Sequence, residues 1–527
     1  MISKITNQSY KDEILIPEAI KKSRLMGNKR ELLKRHETCV SFNTQAVTEF
    51  QGKGSYVLLD FGKELCGGIR IITSYTRGIA RFHFRFGESI TEAVTDISVK
   101  NACNDHSPRD FEAGVPSLAD LTFGQTGFRF VYIELISENP ITVQGIFAVN
   151  HLPEFKREAE IITNDELLNK IIKTAAYTVK LCCQNNYIVD GIKRDRLIWS
   201  GDIHPEMLSA FYFFGDIPNI KNSILFIKND TDPTKWVNWI PSYSAWWIIN
   251  FCDYCKICGN RSFLKQNASY GAKILEKMNS SIDENGNMTF EGTNMPYFLD
   301  WPTNGTPDAV IGTASLFLLA AKRYLDFFEN ADAQDIVKKL TPFLNRSKPV
   351  SKQAYAFRYL AVGKAENLNS VLEHDGSCEF STFMAYYILK ADALSGGTNM
   401  LSLIKEYYGG MLQKGATTFW EDFDITWIEN TNAINRFPKA NERDIHGDFG
   451  KFCYQNFRHS LCHGWSAGVL AFVVENILGI KLENNKIVDI KPNLMGLTDI
   501  TAKIPVGDKW LKLKINGKQI DYSLSEN

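Results

Sequence analysis

The chain has 527 residues, beyond the size at which a single apolar core stops growing, so it is expected to fold as roughly two to four domains. Its 59 Lys and Arg balance 60 Asp and Glu, leaving a formal charge of -1 and no sequence-wide positive field for nucleic acid or an anionic membrane. No apolar run reaches the length of a membrane span. Aromatic residues make up 12% of the chain, with 10 Trp and 20 Tyr, and such rings offer faces on which sugars stack as well as core volume.

The first twenty residues mix Lys4, Lys11, Asp12 and Glu13 with short apolar pieces and lack the unbroken apolar stretch of a signal peptide. The 11 cysteines are odd in number and follow no disulfide-framework spacing, which points to reduced thiols. Together these features imply a cytoplasmic location, or a periplasmic one had a leader been removed. The first fifty residues are read as an adapter packing against the rest.

From residue 55 to 149 the pattern is strand-like. Tyr56-Val-Leu-Leu-Asp-Phe61, Ile69-Arg-Ile-Ile72, Ala80-Arg-Phe-His-Phe-Arg-Phe86 and Phe128-Arg-Phe-Val-Tyr-Ile-Glu-Leu135 are β-rich runs between glycine turns, the pattern of an antiparallel sandwich. After Pro153 the texture changes. The run 165–181 has apolar residues at helical spacing behind a cap expected at Thr163 or Asn164. Further helices are expected over 207–214, 245–258, 261–278, 310–328, 334–344, 368–372, 380–394, 402–409 and 466–478, joined by loops rich in Trp, Asp, Asn, Gly and Pro. Such a set suits a double ring of helices with a site at one mouth, a closure that periodicity alone does not establish. Past Gly479 the short strand-like runs 487–490, 500–504 and 510–515 return, followed by an Asn516-Gly517 turn. The expected division is 1–155, 156–479 and 480–527.

Cys252, Cys255 and Cys258 form a CxxCxxC run. Their spacing puts them along one side of a buried apolar helix, with no second CxxC or nearby His to complete a metal site, so neither a metal nor a cofactor is expected. No GxGxxG or Walker-type loop is present either.

The most informative stretch is Val189-Asp-Gly-Ile-Lys-Arg-Asp-Arg-Leu-Ile-Trp-Ser-Gly-Asp-Ile-His-Pro-Glu206, which gathers Asp190, Asp195 and Asp202 beside Arg194, Arg196 and Trp199. Hydrolysis of a glycosidic bond with inversion needs a protonated carboxyl for the leaving oxygen and an ionised one to activate water on the opposite face. Crowded carboxylates near an indole raise one another's pKa, whereas arginines lower it, so the pattern leaves protonation open. A DxxxxDR loop taken alone is more often a surface ion-pair cluster. Two further segments carry chemistry: Gly415-Ala-Thr-Thr-Phe-Trp-Glu-Asp-Phe-Asp424, where Glu421 follows Trp420, and Ser460-Leu-Cys-His-Gly-Trp-Ser-Ala-Gly468, where His463 precedes Trp465.

These segments resemble, in the same order, three motifs of the bacterial α-L-rhamnosidases, which are inverting six-hairpin glycosidases. The first is an Asp-Cys-Pro-x-Arg-(Asp)-Glu-Arg-Leu-Gly-Trp-x-Gly-Asp run, the second Gly-Ala-Thr-Thr-x-Trp-Glu, and the third His-x-Trp/Phe-x-x-Gly. Asp60-Phe-Gly62, Phe86-Gly-Glu88 and Thr126-Gly-Phe-Arg129 look like that family's β-sandwich, and the stretch with Ile490-Lys-Pro492 looks like its C-terminal β-domain. The resemblance implies an (α/α)6-barrel catalytic domain flanked by an N-terminal antiparallel β-sandwich and a small C-terminal β-domain. It makes Asp195 the general acid and Glu421 the general base. Asp190, Arg194, Trp199, Asp202 and His463 would line the sugar subsite, with Trp247 (or Trp246), Asp300 and Trp301 as further contacts.

Three departures stand out. Asp195 replaces the usual Glu, Gly191-Ile192 and Ile198 replace Cys-Pro and Gly, and a long insertion containing Arg436, Glu442, Asp444 and His446 separates Glu421 from His463. The expected activity is removal of terminal α-L-rhamnose, or a related sugar, from oligosaccharides or glycosides. The alternatives are a hydrolase for another deoxy-sugar or uronic-acid glycan and a non-catalytic carbohydrate-binding relative. A phosphorylase or epimerase using the His459/His463 pair ranks lower.

Overall fold

The computed structural model describes the chain except residues 1–6, 36–38, 43–45, 76–77, 451–453 and 527. The N-terminal region is a nine-stranded antiparallel sheet. The two sequence runs at 56–61 and 69–72 belong to one long strand, Tyr56–Thr73, which pairs along its length with Asp120–Leu135 and through its second half with Ile141–Pro153. The first fifty residues are part of this sheet: Tyr10–Leu15 pairs with Ile141–Pro153, and Ala19–Arg24 with Tyr56–Thr73. Alternating side chains such as Phe82, Phe84, Phe86, Val131 and Ile133 are fully buried and build a core of the sheet's own.

Twelve α-helices follow among the described residues. The first six are α1 Glu166–Cys182, α2 Ile203–Phe214, α3 Pro218–Asp230, α4 Pro241–Cys258, α5 Arg261–Ser280 and α6 Pro307–Leu325. The remainder are α7 Ala331–Arg346, α8 Lys352–Val362, α9 Leu368–Leu372, α10 Ala385–Leu394, α11 Met400–Gln413 and α12 Gly468–Phe472. Helix α4 is apolar on nearly every side, and Cys252, Cys255 and Cys258 are buried along it, as their spacing implies. Packing runs α2 to α4, α4 to α6, α6 to α8, α8 to α10 and α10 to α12, and α12 returns to α2. Each odd-numbered helix from α3 to α11 packs against its even-numbered predecessor, and α1 packs against α12. The expected helix over 466–478 is divided: a 3-10 turn Gly464–Ala467, then α12, then a π turn Val473–Ile477. Gly479 ends it in the left-handed region at φ 65, where a Cβ would lie 1.9 Å from the Lys491 carbonyl oxygen.

The C-terminal strands Asp499–Val506, Lys509–Asn516 and Gln519–Ser525 form an antiparallel sheet whose fourth strand, Glu160–Thr163, comes from just before α1. Ile500, Ile504, Leu511, Leu513 and Ile515 share the core of the helices. Among the described residues no helix is long and apolar enough to cross a membrane.

The sheet region meets the helices along one seam. There the insertion expected from the sequence lies down: Ile90 N–H donates to the Ile434 carbonyl (2.9 Å), and Arg458 pairs with Asp105 (3.0 Å). The candidate site sits on this seam.

Candidate active site

The loop before α2 makes an abrupt turn. Asp195 and Arg196 are consecutive non-glycine residues in the left-handed region, at φ 54 and 53, a conformation kept only where surrounding contacts impose it. Backbone pairing with neighbouring segments supplies those contacts. Asp190 Oδ1 accepts from Leu197 N–H (2.9 Å), the Asp190 carbonyl accepts from Gly464 N–H (2.7 Å), and Gly191 bridges to His463 as a short antiparallel pair. Gly464 approaches so closely that a Cβ there would meet Glu206 Oε1 at 2.2 Å. The first and third sequence motifs are thus pressed together by backbone pairing.

Arg194 is the hub. One terminal nitrogen donates to both carboxylate oxygens of Glu421, the other pairs with Asp195 Oδ2 at 2.6 Å, and Nε donates to the Arg458 carbonyl (2.6 Å). The Tyr454 ring lies 3.4 Å from the guanidinium carbon, and its hydroxyl donates to Asp195 Oδ2 (3.0 Å). Glu421 is further fixed by Ser460 N–H on Oε2 (2.8 Å), while its carbonyl accepts from Trp465 Nε1 (3.0 Å) and the Thr382 hydroxyl. On the other side His463 Nε2 faces Asp202 Oδ1 at 3.4 Å, and Asp202 Oδ2 accepts from the Tyr243 hydroxyl (3.2 Å). Trp199, partly exposed, packs edge-on against Tyr243.

Burial and charge divide these groups. Burial alone would raise both Glu421 and Asp195, but the Arg194 charge prevails and holds each carboxyl below its ordinary range. Asp190 and Asp202 are pushed upward by burial, against the opposing charge of His463. His463, despite burial that would lower it, is raised to about 9 by Glu421, Asp202 and Asp190, so it is an imidazolium at neutral pH. The site therefore holds ionised carboxylates and protonatable ones side by side.

A narrow cleft of about 20 Å³ opens beside this cluster, with Asp300, Trp301, Glu421, Tyr454 and Trp465 among its walls. Asp300 is tied to the Thr303 and Ser381 hydroxyls (2.6 and 2.7 Å), and Trp301 stands edge-on to Tyr454. Trp247 is not brought here. It is fully buried, its indole N–H donating to the Ile224 carbonyl (3.1 Å) and its ring packed on Phe251 and Tyr270, because it faces the outer side of α4. Trp246 is equally buried, among His204, Phe383 and Tyr387. A wider groove of about 1280 Å³ lies past Arg157, Asn484–Ile490 and Asp508, and none of the sequence-predicted residues lines it.

Sequence reasoning missed Tyr454 and Tyr243, and it named the segment that Ser460 opens but not the Ser460 N–H that holds Glu421. Tyr454 and Ser460 belong to the insertion and the segment after it, whose course no local spacing encodes. Glu88, Glu92 and His446 bring three potential metal-ligand atoms within 4.8 Å of one another, but the ammonium of Lys193 already serves both carboxylates (3.0 and 3.2 Å). His446 uses both ring nitrogens, on Ser89 Oγ (2.7 Å) and the His459 carbonyl (3.1 Å), and burial drives its pKa well down. This cluster fits an internal ion pair better than a metal.

The same arrangement of sheet, helices and C-terminal strands occurs in solved structures. A GH78 family rhamnosidase of Bacillus sp. GL1 superposes with TM-score 0.71 at 19% identity, over 92% of this chain and 53% of its own. The rhamnosidase of Klebsiella oxytoca with rhamnose bound gives 0.68 at 17%, over 88% of this chain and 96% of its own. The Streptomyces avermitilis α-L-rhamnosidase complexed with L-rhamnose gives 0.66 at 15%, over 90% and 48%. The chain has the α-L-rhamnosidase fold. It spans about half the length of the Bacillus and Streptomyces chains and nearly all of the Klebsiella one. No family model and no curated protein matches the sequence.

Proposed function

We propose that the chain is a divergent member of the α-L-rhamnosidase family, an inverting hydrolase that removes a terminal α-L-rhamnose or related sugar from a glycoside or oligosaccharide. The observation carrying this reading is the placement of Asp195 and Glu421 on opposite nitrogens of one guanidinium, in a fold shared with rhamnosidases. The packing of α2, α4, α6, α8, α10 and α12, with the last returning to the first, supports an (α/α)6 barrel around the site. The core that the nine-stranded N-terminal sheet buries on its own supports a β-sandwich.

In this reading Glu421, kept ionised by Arg194, takes a proton from water as it attacks the anomeric carbon. Asp195 gives its proton to the departing oxygen. In the free protein Asp195 is held ionised, so substrate must take Tyr454's hydroxyl off it and cover it from water, both of which favour the protonated form. The imidazolium of His463, with Asp202, Asp190, Trp199, Asp300 and Trp301, orients the sugar's hydroxyls and ring.

The test is release of p-nitrophenol from p-nitrophenyl α-L-rhamnopyranoside, with the first-formed anomer followed by NMR. Wild type is expected to turn over with inversion, and Glu421→Ala to lose on the order of 10²–10⁴-fold. Asp195→Asn should lose less on this substrate than on an alkyl rhamnoside, because nitrophenolate leaves without acid help. Asp195's ion pair with Arg194 favours one second reading, a sugar-binding relative without turnover. Calorimetric binding of L-rhamnose by an inactive wild type would select it.

A further inference from the structure

Glu88 directly follows the strand Ala80–Gly87 of the N-terminal sheet, and its side chain is fully buried, yet it belongs to none of the three segments that carry the chemistry. Its Oε1 accepts from the Ser460 hydroxyl (3.0 Å) and its Oε2 from the Leu461 N–H (2.6 Å). The Lys193 ammonium sits 3.0 Å from the same Oε2 and donates onward to the Phe457 and His459 carbonyls (2.9 and 2.6 Å). Glu92 completes the arrangement, 3.2 Å from Lys193 and accepting from Glu88 N–H (2.8 Å). The segment 457–461 is therefore gripped from the sheet side by two carboxylates acting directly and through Lys193. On its opposite side the same segment presents Ser460 N–H to Glu421 Oε2, and its Arg458 carbonyl receives Arg194 Nε.

We infer that Glu88 is a positioning residue for Glu421: by fixing the Ser460–Leu461 backbone from the N-terminal sheet, it sets the orientation of the carboxylate that activates water. This rests on the role proposed for Glu421. The physical reason is one of donors and acceptors. A carboxylate offers only acceptors to the Ser460 hydroxyl, the Leu461 N–H and the Lys193 ammonium, whereas an amide in its place turns an N–H₂ group toward one of these donors and leaves Lys193 short of a buried counter-charge. The peptide must then shift, and the Ser460 N–H shifts with it. Misplacement by about 1 Å costs on the order of 10²-fold in rate without needing to change sugar affinity. The sheet region is in this sense part of the active site and not only a support for it.

The experiment compares Glu88→Gln with Glu64→Gln in the full chain. Glu64 is another buried acid of the sheet, within electrostatic reach of the same Glu88, Glu92 and Lys193. The hydrogen bonds of the Ser460 hydroxyl and Leu461 N–H go to Glu88, so Glu64→Gln controls for loss of charge without loss of that grip. Glu88→Gln is expected to lower kcat about 10²-fold with KM little changed, while Glu64→Gln stays near wild type. Sodium azide attacks the anomeric carbon as an anion and needs no base. It should restore turnover in Glu421→Ala, giving the glycosyl azide while the aglycone leaves with the proton of Asp195. It should not do so in Glu88→Gln, where the ionised Glu421 carboxylate still flanks the water's place and repels the anion. If Glu88→Gln fails to fold, Glu88→Asp keeps a counter-charge for Lys193 and is expected to show the same kcat loss. A readout independent of turnover is the NMR titration of His463, whose pKa of about 9 depends on the nearness of Glu421, with Asp190 and Asp202 also facing it. It should fall in Glu88→Gln and in Glu421→Gln alike. An inactive wild type would sink the proposed hydrolysis and leave this titration as the test. A His463 titration unmoved by Glu88→Gln, or equal kcat losses in Glu88→Gln and Glu64→Gln, would overturn the inference.

Discussion

Asp195 is caught between burial, which favours its protonated form, and Arg194 and Tyr454, which favour its ionised form and prevail. If it is the general acid, the descending limb of kcat/KM reports its titration in the free protein. Tyr454→Phe removes one donor from the carboxylate, so the charged form loses support and the pKa rises. The descending limb should therefore move to higher pH, measured as kcat/KM against pH for both proteins. A limb that stays in place, or moves down, would remove Asp195 from the acid role. The motif residues Asp190, Arg194, Asp195, Asp202, Glu421 and His463 were singled out because their segments resemble rhamnosidase motifs; composition alone left the Asp190–Asp202 run as a surface ion-pair cluster. Tyr454 was not, and Glu88 was read only as part of the sandwich strands, since the importance of both comes from which segments the fold lays against them. Trp247 illustrates the converse: beside Trp246 in an apolar helix, either indole could face a sugar by sequence, but α4 turns both into the core.

At the scale of elements, helix α1 was foreseen nearly to its ends, yet its cap is Asp165 and not Thr163 or Asn164. Thr163 ends the strand Glu160–Thr163, and Asn164 turns its side chain back to the N–H groups of Thr498 and Asp499. Asp165 Oδ1 takes the Leu168 N–H (2.9 Å), and Oδ2 pairs with Lys405 of α11 (2.5 Å). Asp165→Ala should cost about 1 kcal/mol, measured by urea unfolding, because it orphans a helix-end donor and unties α1 from α11 together. No change in the unfolding midpoint would mean that water or Thr163 replaces the cap fully. Helices α3 and α8 were not anticipated. In α3 the buried Ile220, Ile224 and Ile227 are diluted by Lys and Asn, and α8 lies behind a Ser351 cap with only a weak apolar stripe. Local periodicity thins out where a helix gains its stability from neighbours.

For the whole molecule, the question is whether the last strands form a unit of their own, as the change of texture at Gly479 suggests. The packing argues that they do not. Ile500, Ile504, Leu511, Leu513 and Ile515 lie in the same apolar core as the helices, Asp499–Val506 packs against α2, and the strand Glu160–Thr163 that precedes α1 is its hydrogen-bonded neighbour. Burying five such side chains at roughly 1.5–3 kcal/mol each rivals the ~5–15 kcal/mol by which a domain is stable at all. Removing residues 480–527 would forfeit that burial, uncover the matching face of α2, and leave Glu160–Thr163 as an unpaired edge beside exposed apolar surface, the combination that drives association between chains. The truncated chain is therefore expected to accumulate in the insoluble fraction on expression, and any soluble part to unfold well below the full chain in a thermal melt. A soluble truncated monomer with the full chain's melting temperature would show instead that the helices close their core without the strands. In that case the C-terminal sheet would be a separate module that merely rests on α2.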